Sequence, residues 1–443
     1  MTYRRADVLE VGIWGSLVGA IAQDPATGRF VFEYSPEWRE HGVELSPLRM
    51  PRRPEPYYLA QWPELSRESY HDLPPLLADS LPDAFGNALV DAWMAEHDVP
   101  KESITPLDRL AYVADRAMGA LEFRPPARAL ADEPTSAVDL AELVLAARLT
   151  VNGRLADSQS AHAALQQLIQ VGSSPGGARA KALVAFRPRD YRVLSPFAPL
   201  EAGFEHWLVK LDGVSATGMD GHGGGLGDAA PYGRIEYAYY EMAVAAGVTM
   251  SECRLLAEGP RRHFMTRRFD RGPGGERYHV LSLSAMAHLD YRLVGAHSYD
   301  QYLQVVRELG LSLEDLRQAY RRMVFNVLAV NRDDHAKNFA FLLRSRGPWE
   351  LAPAFDVTHA YRSDSEWTSR HNLMVNGRLE GITVADLEAV GARHEVPGYR
   401  KVIREVAEAI AQWPRFASDA DLDPATTQAI ARDLASPPGP VST

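Results

Sequence analysis

The chain has one cysteine, Cys253, among 443 residues. One thiol makes neither an internal disulfide nor a multi-cysteine zinc site. A lone cysteine fits a small buried side chain in a reducing compartment. Long apolar runs are missing as well: no uncharged stretch approaches the roughly 20 residues needed to cross a bilayer. The opening MTYRRADVLEVGIWGSL is interrupted by Asp7, Glu10 and glycines, so it does not read as a signal peptide. Excess basic charge is lacking, since the net charge is −11, which leaves no global field to attract nucleic acid. No internal repeat and no helix-turn-helix pattern is evident. These absences predict a cytoplasmic protein with no membrane and no direct nucleic-acid partner. What is present is a 46% hydrophobic composition, ample for at least one large core.

Alternation of apolar and polar positions predicts strands over 8–14 and 29–34, joined across 24–28. Helical spacing follows over 79–94, with Pro82 near the first turn, and over 107–118. A segment rich in Pro, Ala and acidic residues at 126–136 reads as a linker, followed by helices at 137–147 and 161–171. Glycine-rich runs at 172–181 and 212–233 bracket strands at 182–186 and 206–211. A helix over 235–246 and a strand over 262–269 come next, and from 281 onward the pattern is mainly helical. The expected fold class is α+β. It divides into an N-terminal subdomain (1–127), a strand-rich lobe with a glycine-rich loop (128–271) and a helical lobe (272–443).

The densest chemistry lies in Asn331-Arg332-Asp333-Asp334-His335-Ala336-Lys337-Asn338. Two adjacent carboxylates where a helix should be ending conflict with the negative end of its dipole, and such local conflicts mark sites. The Asp-x-x-x-x-Asn spacing of Asp333 and Asn338 matches a kinase catalytic loop. There the aspartate takes the proton of the substrate hydroxyl and the asparagine holds Mg²⁺. Asp356 ends the segment Ala352-Pro353-Ala354-Phe355-Asp356 and supplies the second oxygen ligand such a site needs. Upstream, Lys210 sits on a strand where its amine can hold α/β-phosphates, with Glu236 as a candidate ion-pair partner. The run 172–181 is rich in small residues whose backbone N–H groups can approach phosphate.

Together these residues resemble the HipA-like serine/threonine kinases, toxins of bacterial toxin–antitoxin pairs. The likeness is carried by N-x-D-D-H-x-K-N at 331–338, A-P-x-x-D at 352–356, R-F-D-R at 268–271, S-S-P-G-G-A-R-x-K at 173–181 and D-S-L-P-D-A-F-G-N at 79–87. It implies a two-lobed protein-kinase-like fold using ATP and Mg²⁺. It assigns Asp333 as the catalytic residue and Asn338 and Asp356 as metal ligands. It places Lys210, Gly176, Gly177, Ala178, Lys181, His335 and Lys337 around the nucleotide, and Arg267 and Phe269 along the adenine hinge. Ser174, with Ser173 beside it, is the implied autophosphorylation site. Phosphorylation there adds about −1.5 to −2 charges next to the ATP phosphates. The resemblance further implies a protein substrate, an aminoacyl-tRNA synthetase in some relatives, and a small DNA-binding antitoxin as partner. The chain departs from many relatives at Ala180, where they carry proline, and at Arg267, where some carry an acidic residue.

Two other readings stay open on sequence alone. One is a metal-dependent phosphohydrolase built on Asp333, Asp334, His335, Asp356 and His359. The other is a nucleotide-binding regulator without catalysis. Within the loop, His335 is expected to be a hydrogen-bonded strut and Asp334 a solvated neighbour.

Overall fold

The computed structural model describes residues 5–125, 180–197, 201–212, 231–345 and 347–435, together with Tyr3, Leu143, Val144, Ala147 and Val214. Helices and sheets are mixed throughout, so the fold is α+β. The chain divides into two compact units. The first comprises 1–220, 265–281 and 342–348, and the second 221–264, 282–341 and 349–443.

The first unit opens with a four-stranded sheet ordered β3-β2-β1-β4: β1 Val8–Ile13, β2 Ser16–Gln23, β3 Phe30–Tyr34 and β4 Leu121–Arg124. The sequence pattern located β1 and β3 but missed β2. The Trp14-Gly15 turn, with φ of 49° and 77°, folds β1 back onto β2, and the 24–28 loop joins β2 to β3. Alternation then buries Leu9, Val11 and Ile13 on one face. Two helices follow, α1 Ala84–Ala95 and α2 Pro106–Val113. Pro82 lies ahead of α1 rather than in its first turn, because Asp83 is the N-cap and accepts from the Gly86 N–H at 2.7 Å. Three further strands of this unit, β5 Lys181–Arg187, β6 Arg192–Leu194 and β7 Glu205–Lys210, pair antiparallel around β5. The helices expected at 137–147 and 161–171 lie outside the described residues, apart from three isolated positions.

The R-F-D-R segment returns to the first unit and clamps it. Asp270 is fully buried and accepts from Arg268 Nε at 2.9 Å, Arg268 Nη2 at 2.6 Å, Arg271 Nη1 at 2.7 Å and the Gly119 N–H at 2.7 Å. Arg271 and Arg277 in turn donate to the Gly119 carbonyl. Gly119 has φ +85°, a left-handed conformation, and a Cβ there would meet the Val280 nitrogen at 3.1 Å. Burial alone would raise the Asp270 carboxyl, but the two guanidiniums overcome it and hold the group well below the usual carboxylate range.

The second unit is mainly helical. Helix α3, Tyr232–Ala245, comes close to Arg262 within this unit, and Gly233 permits the approach: a Cβ would sit 2.3 Å from the Arg262 carbonyl oxygen. Its spine is α4, Leu313–Leu328, opened by a capping box in which Ser312 and Asp315 satisfy each other's backbone N–H groups. Helix α4 packs against the helices Tyr299–Glu308 and Tyr399–Ile410. One helix of this bundle, Trp413–Asp419, was not distinguished in the sequence. Among the described residues no helix is long and apolar enough to cross a membrane.

Candidate active site

The loop after α4 begins with a helix-ending turn. Val330 adopts φ 54°, and the Asn331 N–H bonds back to the Asn326 carbonyl at 2.9 Å. This is the hydrogen bond of a Schellman cap, with valine where glycine is usual. A β-branched residue in the left-handed region is strained, on the order of 1 kcal/mol or more. The helix stops at Leu328, so neither Asp333 nor Asp334 lies in its last turn. The dipole conflict read from the sequence is resolved by that turn. Asn331 then bridges to Ala360, and the Arg332 N–H donates to the Ala360 carbonyl at 3.1 Å.

Asp333, Asn338 and Asp356 line one pocket of about 350 Å³, a volume that includes open solvent at its mouth. Asp333 Oδ1 is buried and accepts no hydrogen bond; the nearest cationic candidate is His335 Nε2 at 3.6 Å. Asn338 is held by its amide, which donates to the Asp333 carbonyl at 2.7 Å. That bond commits the nitrogen of Asn338 and leaves its side-chain oxygen as the end available to a cation. Asp356 has φ 51°, a left-handed residue at the end of its segment. Oxygen-only donors on Asn338 and Asp356 suit a hard divalent cation that keeps several waters and phosphate oxygens as its other ligands. Among the described residues no group of three or more His, Cys, Asp and Glu gathers as a metal cage.

Asp334 corrects the expectation of a solvated neighbour. It is 1% exposed and accepts from the Tyr299 hydroxyl at 2.7 Å, His371 Nδ1 at 2.8 Å and the Asn372 N–H at 2.7 Å. Burial first, and then the adjacent Asp334 charge, push the Tyr299 phenol well up, so it remains a donor. Asn372 also donates to the Arg332 carbonyl at 2.7 Å. The loop is therefore held on both sides of Asp333, at the Arg332 carbonyl and at the Asp334 side chain. His335 braces the loop through its carbonyl, which accepts from the Asn338 N–H at 2.9 Å, while its Nδ1 is buried without a hydrogen-bond partner. Lys337 places its ammonium 4.6 Å from the Tyr291 ring centre. The five-residue hydrolase set is not assembled. Asp334 is committed to three donors, and His359 Nε2 pairs with Asp433 at 3.0 Å.

Of the other nominated residues, Lys181, Lys210, Arg267 and Phe269 belong to the first unit. Lys210 ends β7 and lies in register opposite Lys181 on β5. Lys181 is buried, and its ammonium lies 3.4 Å from Asp83, whose other oxygen caps α1. Arg267 is exposed and 3.5 Å from Glu205, while Phe269 is half-buried. Glu236 is buried on α3 of the second unit, 4% exposed. Ser174, Gly176, Gly177 and Ala178 lie outside the described residues. Sequence reasoning passed over Tyr299, Arg322, Asn326, His371 and Asn372. His371 lies 37 residues from Asp334, and no spacing pattern links them.

The fold and the pocket define an α+β protein of the kinase-like kind. Residues 9–124 match the family model described as the HipA N-terminal domain, and residues 173–414 match that of the HipA-like C-terminal domain. The second match spans more than half of the chain, and the protein belongs to the HipA-like family. Over 215 residues it is 24% identical to a Sinorhizobium fredii (strain NBRC 101917 / NGR234) protein named "Putative kinase Y4dM", covering 45% of this chain and 48% of that one. The chain thus spans about half the length of that curated relative. A solved structure of HipA from the Shewanella oneidensis MR-1 toxin–antitoxin system, in complex with HipB and operator DNA, is similar in fold. Its TM-score is 0.62 at 14% identity, covering 96% of this chain and 95% of that chain.

Proposed function

We propose that this chain is an ATP-dependent serine/threonine protein kinase of the HipA type, acting in the cytoplasm. The observation that carries the reading is the shared pocket of Asp333, Asn338 and Asp356, in which Asp333 keeps a buried carboxylate oxygen without a hydrogen-bond donor. Asp333 takes the proton of a substrate hydroxyl as its oxygen attacks the γ-phosphorus and the bond to ADP breaks. Asn338 and Asp356 would hold Mg²⁺, which when bound offsets the phosphate charge facing these carboxylates. Lys210 binds nucleotide phosphates, and Arg267 and Phe269 flank the adenine. Gly176, Gly177 and Ala178 approach the phosphates through their backbone, and Lys181, His335 and Lys337 support the nucleotide site. Ser174, or Ser173 beside it, receives phosphate in autophosphorylation.

The substrate is a protein hydroxyl, with an aminoacyl-tRNA synthetase as the leading candidate. A small DNA-binding antitoxin is the proposed partner. Support for it comes from the similar Shewanella complex, in which HipA is accompanied by HipB and DNA.

Incubation with γ-labelled ATP and a cell extract tests the reading. Label is expected in protein, and Asp333→Asn is expected to lower transfer by roughly 10²–10⁴-fold. Release of free phosphate without labelled protein would instead identify a hydrolase.

A further inference from the structure

Three polar side chains four residues apart on α4, Gln318, Arg322 and Asn326, each hold a different loop of the second unit. Residues at this spacing share one helix face. Gln318 Oε1 accepts from the Thr249 N–H at 3.1 Å, and its amide donates to the Gly247 carbonyl at 2.9 Å. Arg322 is 4% exposed and donates from Nη2 to the Ala352 carbonyl at 2.7 Å. Asn326 is 6% exposed, accepts from the Asn331 amide at 2.9 Å and donates to the Tyr299 hydroxyl at 3.1 Å. That hydroxyl goes on to Asp334 at 2.7 Å.

The loops so held carry the nominated chemistry. Ala352 begins the A-P-x-x-D segment that ends in Asp356, and the Ala354 N–H is tied to the Thr249 carbonyl at 2.8 Å. Asn331 begins the loop of Asp333 and Asn338. Arg322, Asn326, Asn331, Ala354, Asp333 and Asp356 line the same pocket.

A buried guanidinium directed at a carbonyl is an expensive way to pack a helix; an aliphatic side chain would fill the space with no charge to desolvate. We propose that Arg322 and Asn326 are positioning residues that act on the two loops separately. Arg322 sets the place of Asp356, and Asn326 sets the place of Asp333. One rigid helix turn between them fixes the spacing of metal ligand and proton acceptor. This rests on the kinase reading for the roles of Asp356 and Asp333, but not for the anchoring itself.

The experiment crosses two variants with two readouts on the full chain. Arg322→Met is expected to raise the Mg²⁺ concentration for half-maximal transfer by roughly 10–100-fold, with kcat at saturating Mg²⁺ little changed. Arg322→Lys, which keeps a donor, is expected to recover most of this loss. Asn326→Leu is expected to lower kcat at saturating Mg²⁺ by roughly 10–100-fold, with a smaller rise in the Mg²⁺ requirement because its loop also carries Asn338. Mn²⁺ binding in the presence of a non-hydrolysable ATP analogue, followed by electron paramagnetic resonance, provides a readout independent of turnover. It should weaken more in Arg322→Met than in Asn326→Leu. Equal shifts of both constants in both variants, or no shift in either while both fold, overturn the proposal. If the apolar variants fail to fold, Arg322→Gln and Asn326→Asp are judged on the same axes by the same criterion. A wild-type chain that transfers no phosphate counts against the kinase reading, while the Mn²⁺ pattern still decides the anchoring.

Discussion

Two short segments carry most of the charge that stands out in this sequence, 268–271 and 331–338, and the structure uses them in opposite ways. In the first, every strong group is answered. Asp270 takes four donors, and the guanidiniums around it end on carboxylates and carbonyls. In the second, the charges are divided. Asp334 is as buried as Asp270 and as fully occupied, whereas its neighbour Asp333 keeps a buried oxygen with no donor. A charge-dense motif is thus scaffold where acceptors are saturated and a candidate site where one is left over. Residue types alone do not separate the two cases.

The largest stability effect should come from the saturated segment. Asp270→Asn leaves Arg268 and Arg271 buried against a neutral amide, and removing one partner of a buried pair costs about 3–5 kcal/mol. Chemical denaturation should register this. Asp333→Asn, by contrast, should leave stability within about 0.5 kcal/mol while abolishing most transfer. If the two substitutions destabilise equally, the distinction drawn between the segments fails.

Acid sharpens the same contrast within the first unit. His279 is 1% exposed, one ring nitrogen lies 3.1 Å from the Leu45 carbonyl oxygen, and burial pushes its pKa down to about 4. His206 is lowered to about 4 as well, by burial first and then by Arg268 and Arg271. Between pH 6.5 and 4 the unfolded chain binds protons that the folded chain does not, so stability falls as pH drops through that window and levels off below it. At about 1.4 kcal/mol per pKa unit, His279 contributes on the order of 3 kcal/mol. Asp270, depressed further, keeps its contribution across the whole window and loses it only in stronger acid. His279→Gln should flatten the pH profile of thermal stability between 6.5 and 4. An unchanged slope would mean that other groups carry it.

How far the sequence revealed this arrangement follows from what it encodes locally. The helices Val384–Arg393 and Pro424–Leu434 match their apolar spacing nearly to the residue, because caps at Thr383 and Asp423 mark their starts. Strand β2 was missed because its Gly19-Ala20 core carries little β signal, and its placement comes from pairing with β1 and β3. That Asp333, Asn338 and Asp356 come to one pocket was legible because the pattern that nominated them specifies particular residue types at set spacings. Their supports were not. Asp334, Tyr299, Asn326 and His371 are joined by bonds across 27 to 37 residues, and a buried hydrogen-bond network has no period.

That network yields a smaller expected effect. Asp334→Asn keeps the shape but replaces one acceptor oxygen with a donor facing the Tyr299 hydroxyl and the His371 ring. Leaving such buried groups mismatched costs about 2 kcal/mol. Hydrogen exchange should show faster exchange for amides of 331–338 and for Asn372, while those of the first-unit sheet stay protected. Loss of protection throughout the chain would make Asp334 a global stability element like Asp270 instead of a support for one loop.

The smallest effect comes from consecutive residues at the edge of the comparison. Arg268 is buried on Asp270, whereas Arg267 is exposed and lies 3.5 Å from Glu205, itself partly exposed. Exposed pairs contribute about 0–1 kcal/mol, because water screens the charges and two long side chains must be ordered. Arg267→Ala should therefore shift the unfolding midpoint barely at all. If backbone groups and not the guanidinium meet the adenine there, the KM for ATP should also stay put. A several-fold rise in that KM at unchanged stability would assign the Arg267 guanidinium itself a direct hold on the nucleotide, and the boundary between scaffold and site would then run between residues 267 and 268.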